Sequence, residues 1–290
     1  MMALDELLDD GVVLPDHGAH DVVTAREATY VFHNEVTYEY PAPIRVLHHQ
    51  FVVLPRPRHG DQRRITHRVH ADVPHRATMR HRYDRFGNPV VEVRAAEVPE
   101  RFSFGVRAVL HRSRDAAVAR PWHPVHRSST PLTASDHALR ADAARAARLA
   151  GGDSCRAALA IGELVRSTMT YELGVTGVRT PAAEAWALGR GVCQDMAHVM
   201  IAMCRTQGIS ARYVSGHLLG EGASHAWVEV QTADGTLAYD PTHARRTDLR
   251  YVTVAVGRDY RDVAPTAGSY RSGPRGRMTV RKRVAVSAVR

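Results

Sequence analysis

The chain has 290 residues, 44% apolar and 24% charged, a balance that builds a packed core rather than a disordered chain. Its formal net charge is +9, and all but one of its 39 basic residues are arginine, Lys282 being the exception. No apolar run approaches the ~18 residues of a membrane-spanning helix, and three cysteines (Cys155, Cys193, Cys204) are too few for a secreted disulfide framework.

Residues 1–24 read as a loosely held leader. MMALDELLDDGVVLPDHG is acidic and lacks the basic and apolar segments of a secretion signal, so the expectation is a cytoplasmic protein with reduced thiols. From residue 25 to 115 the chain predicts short strands: TYVFHNEVTYEY, HHQFVVLP, RITHRVHADV, ATMRHRYD and VVEVRAAEV, with a turn at Phe86-Gly87-Asn88-Pro89. Such a run without a long helix predicts an antiparallel β-sandwich or small barrel. Residues 116–134, rich in Pro, Ser and Arg, read as a linker.

Residues 135–290 predict an α+β domain, helices first and antiparallel strands after. SDHALRADAARAARLA opens on a Ser135 cap and stops at Gly151-Gly152; RAALAIGELVRSTMTYE is a second helix and TPAAEAWALGRG a third. A fourth runs from about Cys193 to Gln207, with Met196, Val199, Met200 and Met203 forming one buried stripe before Gly208. ISARYVSGHLL, SHAWVEVQT, TLAYD, RYVTVAV and RMTVRKRVAVSAV are the strand candidates.

The chemistry concentrates at Gly191-Val192-Cys193-Gln194-Asp195. A glycine turn puts Cys193 in the first turn of a helix, where unpaired N–H groups and the macrodipole favour a thiolate. It still needs a cationic partner. His198 lies about 500° further around the helix and points away, so it reads as a structural hydrogen-bonder. His225 opens a strand whose alternation puts it on one face with Trp227. Asp240 ends the next strand, in reach of His225, and Pro241 stops it. Nucleophile, base and orienting carboxylate in this arrangement are what acyl transfer through a thiol requires. A Cys193–Cys204 disulfide is excluded, because eleven helical residues span roughly 16 Å.

Competing chemistries have less behind them. Ten histidines lie between His48 and His126, but none completes a metal-ligand spacing, and solvated strand faces are the expectation for them. Phosphate loops and nucleic-acid motifs are missing, so no cofactor, metal, nucleic-acid or membrane partner is expected.

GVCQDMAHVMIAMCRTQGISARYVSGHL, SHAWVEV, YDPTH and YVTVAVGRDYRDVAP resemble the bacterial transglutaminase-like cysteine protease family, and YDRFGNPV resembles the β-rich region that precedes its core. The resemblance implies a papain-like core in which Cys193 is nucleophile, His225 general base and acid, and Asp240 its orienting group. Two positions depart from the family pattern: Thr236-Leu237-Ala238-Tyr239 lacks the usual tryptophan, and His243 stands where Asn is common after Asp-Pro-Thr. The expected substrate is a peptide, protein or small amide, with hydrolysis through a Cys193 thioester ahead of amide formation with an amine. A non-catalytic binding protein on the same fold is the reading from another class. The backbone N–H of Cys193 is the expected oxyanion donor, with Trp186 and Tyr171 as candidates for a second.

Overall fold

The computed structural model describes Leu8 and residues 19–73, 77–114 and 122–290. Most of the leader expected at 1–24 therefore lies outside the described residues. The N-terminal part carries α1 (Ala19–Thr24), β1 (Glu27–Glu39), β2 (Ile44–Phe51), β3 (Arg58–His59), β4 (Gln62–Asp72), β5 (Thr78–Tyr83), β6 (Pro89–Val98) and β7 (Arg101–Ser113). The middle carries α2 (His137–Ala147), α3 (Ser154–Thr168), β8 (Thr170–Tyr171), α4 (Ala182–Leu188), β9 (Arg190–Gly191) and α5 (Cys193–Thr206). There follow β10 (Ala211–Leu218), β11 (His225–Thr232), β12 (Gly235–Asp240), β13 (Arg245–Arg246), β14 (Tyr251–Gly257), α6 (Tyr260–Val263), β15 (Thr266–Ser269) and β16 (Arg277–Val289). Among the described residues no helix is long and apolar enough to cross a membrane.

The architecture is α+β, with mostly antiparallel sheets. Among the described residues one five-stranded sheet has the order β16-β1-β7-β4-β3 and a four-stranded sheet the order β15-β2-β6-β5. They face each other through Phe51, stacked 4.2 Å from Phe104 and edge-on to Phe102. β1 shows why this segment is a strand. Tyr30, Phe32, Asn34 and Val36 alternate inward with a period of two. One end of this face meets the second sheet, and the other end meets the core domain, where Phe32 packs edge-on against His217.

In the core domain α5 is buried from Gln194 to Arg205. It lies between α2, α3 and α4 and the sheet β13-β12-β11-β10-β14. Asp136 rather than Ser135 caps α2, its carboxylate accepting from Leu139 N at 2.8 Å. Asp153 caps α3, which ends at Thr168 because the next residues pair as β8 with β9.

Two expected boundaries change. Strands β15 and β16 lie within the expected 135–290 domain, yet β15 pairs with β2 and β16 with β1, from Ala28 against Val289 to Glu39 against Arg277. The pairing covers backbone groups that β1 would otherwise expose as an edge. The expected linker 116–134 is, where described, packed structure. Its 3-10 turns Pro124–Arg127 and Pro131–Thr133 are held by the buried Arg205, which donates to His126 O at 2.9 Å and Thr133 Oγ1 at 2.7 Å.

β14 is the edge of the core sheet, and amide side chains of the N-terminal part close it. Gln62 donates to Thr253 O at 2.7 Å and accepts from Thr253 N at 2.8 Å. Asn88, from the Phe86–Pro89 turn, does the same at Val256, at 2.7 and 2.9 Å. Each amide stands in for one residue of a neighbouring strand. Beside them His59, Glu229 and Arg212 form a buried ionic group, with Glu229 2.8 Å from His59 and 2.7 Å from Arg212 Nε. The expectation of solvated histidines thus fails at His49, His59 and His126, which are all buried. Gln62→Ala and Asn88→Ala should each cost about 1–3 kcal/mol in urea unfolding, because they strand buried backbone groups; losses near zero would mean that water replaces the clamp.

Candidate active site

The site forms where the N-terminus of α5 meets the start of β11 and the end of β12. Gly189, with φ of 65°, ends α4 and turns the chain into β9. Gly191 has no room for a side chain, since a Cβ there would come within 2.6 Å of Asp195 Oδ2. That oxygen accepts from Val192 N at 2.8 Å and from Thr176 Oγ1 at 2.6 Å. Asp195 thus ties down the first turn of α5, whose first residue is Cys193. Cys193 is partly buried, while Cys204 is fully buried and its thiol is pushed up to about 12 by desolvation.

His225 is buried at the first position of β11. Its Nε2 lies 2.7 Å from Asp240 Oδ2, and the Cys193 side chain is near enough to raise the ring's proton affinity. Since Nε2 is taken by Asp240, Nδ1 is the nitrogen left over, and it lies 3.4 Å from Glu221 Oε2. The structure therefore pairs His225 directly with Asp240 and gathers Cys193 at the same end of the core domain. Burial alone would lower the His225 pKa, but the Asp240 and Cys193 partners outweigh it and push it up to about 10.

Asp240 is fully buried and surrounded by donors. Tyr251 Oη donates to its Oδ2 at 2.8 Å, His243 Nδ1 lies 2.7 Å from the same oxygen, and Thr242 N donates to Oδ1 at 2.8 Å. Desolvation opposes its charge, yet His225, His243 and Tyr251 together hold it well below the usual carboxylate range. Burial and the neighbouring carboxylate push the Tyr251 phenol upward, so that it remains a donor.

Other candidates sort clearly. His198 is fully buried, accepts from Tyr260 N at 3.1 Å, and is pushed down to about 3 by desolvation, which makes it a neutral structural group. Trp186 donates its indole N–H to Asp142 at 3.0 Å and does not aim it at the thiol. Tyr171 is half-exposed; burial raises its pKa first, then the charges of Cys193 and Glu221. Sequence reasoning missed Tyr251 and Glu221, and saw His243 only as a departure from a pattern. The one local signal for Glu221 is its place between Gly220 and Gly222, ahead of His225.

Known proteins show the same organisation. Residues 142–241 match the transglutaminase-like superfamily, and residues 30–111 match the bacterial transglutaminase-like N-terminal region. An uncharacterized protein of Mycobacterium leprae is 42% identical over 125 residues, which are 40% of this chain and 44% of that protein. An uncharacterized protein of Mycobacterium tuberculosis is 38% identical over 120 residues, 36% of this chain and 38% of that protein. The chain thus spans less than half the length of these curated relatives. The crystal structure of a candidate cysteine protease from Cytophaga hutchinsonii shares the fold, with a TM-score of 0.67 over 91% of this chain and 92% of that one at 21% identity. Residues 142–241 thus belong to the transglutaminase-like superfamily, and residues 30–111 supply the bacterial transglutaminase-like N-terminal region in front of them.

Proposed function

We propose that the protein is a thiol-dependent amidohydrolase that cleaves a peptide or other amide through a thioester on Cys193. The observation that carries this reading is the buried His225 ring, held by the buried Asp240 carboxylate on one nitrogen, with the thiol at the start of α5 near enough to raise its proton affinity. Asp240 favours the protonated imidazole, which can then serve as acid and base for the thiol at the N-terminus of α5. The Cys193 sulfur attacks the amide carbonyl carbon, and the backbone N–H of Cys193 donates to the oxygen as it gains charge. The C–N bond then breaks, His225 gives its proton to the departing amine, and a thioester remains. Neutral His225 next takes a proton from water as the water attacks the thioester, which releases the acid and restores the thiol. Water needs no dedicated site, which makes hydrolysis the first reading over transfer to an amine. The reduced thiol this chemistry needs suits the cytoplasm.

Iodoacetamide should alkylate Cys193 far faster than Cys155 or Cys204 near neutral pH, and intact-mass analysis with an amide and ester library should show an acyl adduct that Cys193→Ala abolishes. An acid product means hydrolysis and an amide formed with added amine means transfer; equal, slow labelling of all three thiols with no adduct would leave a binding protein on this fold.

Asp240→Asn keeps the shape of the carboxylate but removes its charge and should lower turnover by about 10²–10⁴-fold. A loss under threefold would remove Asp240 from the mechanism.

The same pair sets a pH dependence. Folding raises the proton affinity of His225, so the stability it contributes is complete below pH 6.5 and is lost as pH climbs to about 10. Asp240 acts oppositely: its contribution is present above the ordinary carboxylate pKa and is lost as pH falls into acid. Unfolding free energy should fall between pH 6.5 and 10 in the wild type, and that slope should flatten in His225→Ala. Parallel slopes would show that the imidazole gains no proton on folding.

A further inference from the structure

Lys282 is the chain's one lysine among 39 basic residues, and the proposed reaction does not use it. It lies on β16 opposite Asn34 of β1 and is partly buried. Its Nζ donates to Ser224 Oγ at 3.2 Å, and Ser224 is the residue before His225. The first sheet thus reaches the loop that leads into β11. Among the described residues no carboxylate pairs with this ammonium, and desolvation lowers its proton affinity. Lys282 and Glu221 line one cavity of about 230 Å³, together with His217, Leu218, Leu219 and Val284. It is smaller than the about 300–1,000 Å³ of pockets for drug-sized ligands, so its occupant is small. His217 is neutral there, pushed down to about 3 by desolvation first and then by the Lys282 charge. Arg283 adds a second positive charge to the lining. Glu221 supplies the negative charge: its Oε2 is 3.4 Å from His225 Nδ1 and its Oε1 is 3.3 Å from His243 Nε2. Lys282 and Glu221 are therefore opposite charges in one cavity that do not pair with each other.

We infer that this cavity receives the amine side of the substrate, with Lys282 holding the free carboxylate of a peptide's C-terminal residue and Glu221 facing the amine that this residue carries away. The inference deepens the amidohydrolase reading and rests on it. Asp240 holds His225 Nε2, so Nδ1 is the nitrogen that gives its proton to the departing amine. Once free, that amine takes a second proton from water and becomes an ammonium beside the carboxylate that stands at Nδ1. An ammonium at Glu221 and a carboxylate at Lys282 are the two charges of one amino acid. Lysine suits the second task, since its ammonium keeps donors to spare after the bond to Ser224, and charge-assisted bonds to a carboxylate are the strong ones. Leu218, Leu219 and Val284 add an apolar wall for a side chain such as that of valine. The bond cleaved is then the last peptide bond of the substrate, and the amine product is a free amino acid. The pairing is not visible in the sequence, because Glu221 and Lys282 lie in the loop after β10 and in the last strand.

The test has a binding arm and a turnover arm, both on the full chain. Because Lys282 is the one lysine, trinitrobenzenesulfonate followed by peptide mass analysis reads this side chain directly. In Cys193→Ala, which leaves the ligand intact, N-acetylvaline should protect Lys282 from the reagent and N-acetylvalinamide should not. In the wild type, a random peptide library with free C-termini should lose its last residue about 10–100-fold faster than the same library amidated. Lys282→Met should erase that preference with an unchanged circular dichroism spectrum, and Lys282→Arg should keep most of it. Free valine should inhibit the cleavage, and Glu221→Gln should weaken the inhibition; unchanged inhibition removes Glu221 from the site. Equal cleavage of the two libraries, a preference that survives Lys282→Met, or equal protection by N-acetylvaline and its amide overturns the inference. Protection by N-acetylvaline alone, in a protein that cleaves neither library, would reject the amidohydrolase reading and leave the carboxylate site standing.

Discussion

A charged carboxylate with no exposure to water depends on its donors, and Asp240 has them from every direction. Removing such a group from water costs several kcal/mol unless hydrogen bonds and an opposite charge replace the lost solvation. Here the replacements come from β11 through His225, from β14 through Tyr251, and from the turn after β12 through Thr242 and His243. The arrangement leaves little freedom to any partner. If Asp240 keeps its charge, the His225 ring is held through Nε2, and Nδ1 is the nitrogen left for other partners.

The N-terminal part bears on this carboxylate through β14. Tyr251 opens that strand, and its carbonyl accepts from Arg112 of β7, which also holds Asp61 at 2.7 Å. Further along, Gln62 and Asn88 close the strand edge. A cavity of about 430 Å³ lies between the two parts, with Asp61, Arg112, Trp227, Tyr251 and Thr253 among its walls. Tyr251 therefore borders the interdomain cavity and also donates to Asp240. The β-rich region is in this way part of the support of the site.

Much of this was legible in the sequence, because the signals were local. Gly191 before Cys193 marked a helix start, the spacing of Met196, Val199, Met200 and Met203 marked its buried face, and the alternation around His225 and Trp227 marked a strand. Asp240 followed from the turn at Ala233-Asp234-Gly235, which makes its strand a neighbour of β11. The illegible features were long-range. Nothing near Tyr251 indicates that its hydroxyl reaches Asp240, and nothing in Gly220-Glu221-Gly222 announces two imidazoles. Pairing partners were equally hidden: β16 alternates like any strand, and its pattern does not name β1 as the neighbour.

That last pairing has a consequence for how the molecule assembles. β1 is made well before the strand that covers its open side, which runs from Arg277 to Val289. Until residues 277–289 have left the ribosome, one flank of the first sheet stays unzipped while the transglutaminase-like core between them is already free to collapse. Unpaired strand flanks are where neighbouring chains join. The nascent protein must therefore pass through a stage in which its core is ready and its first domain is still open to strangers.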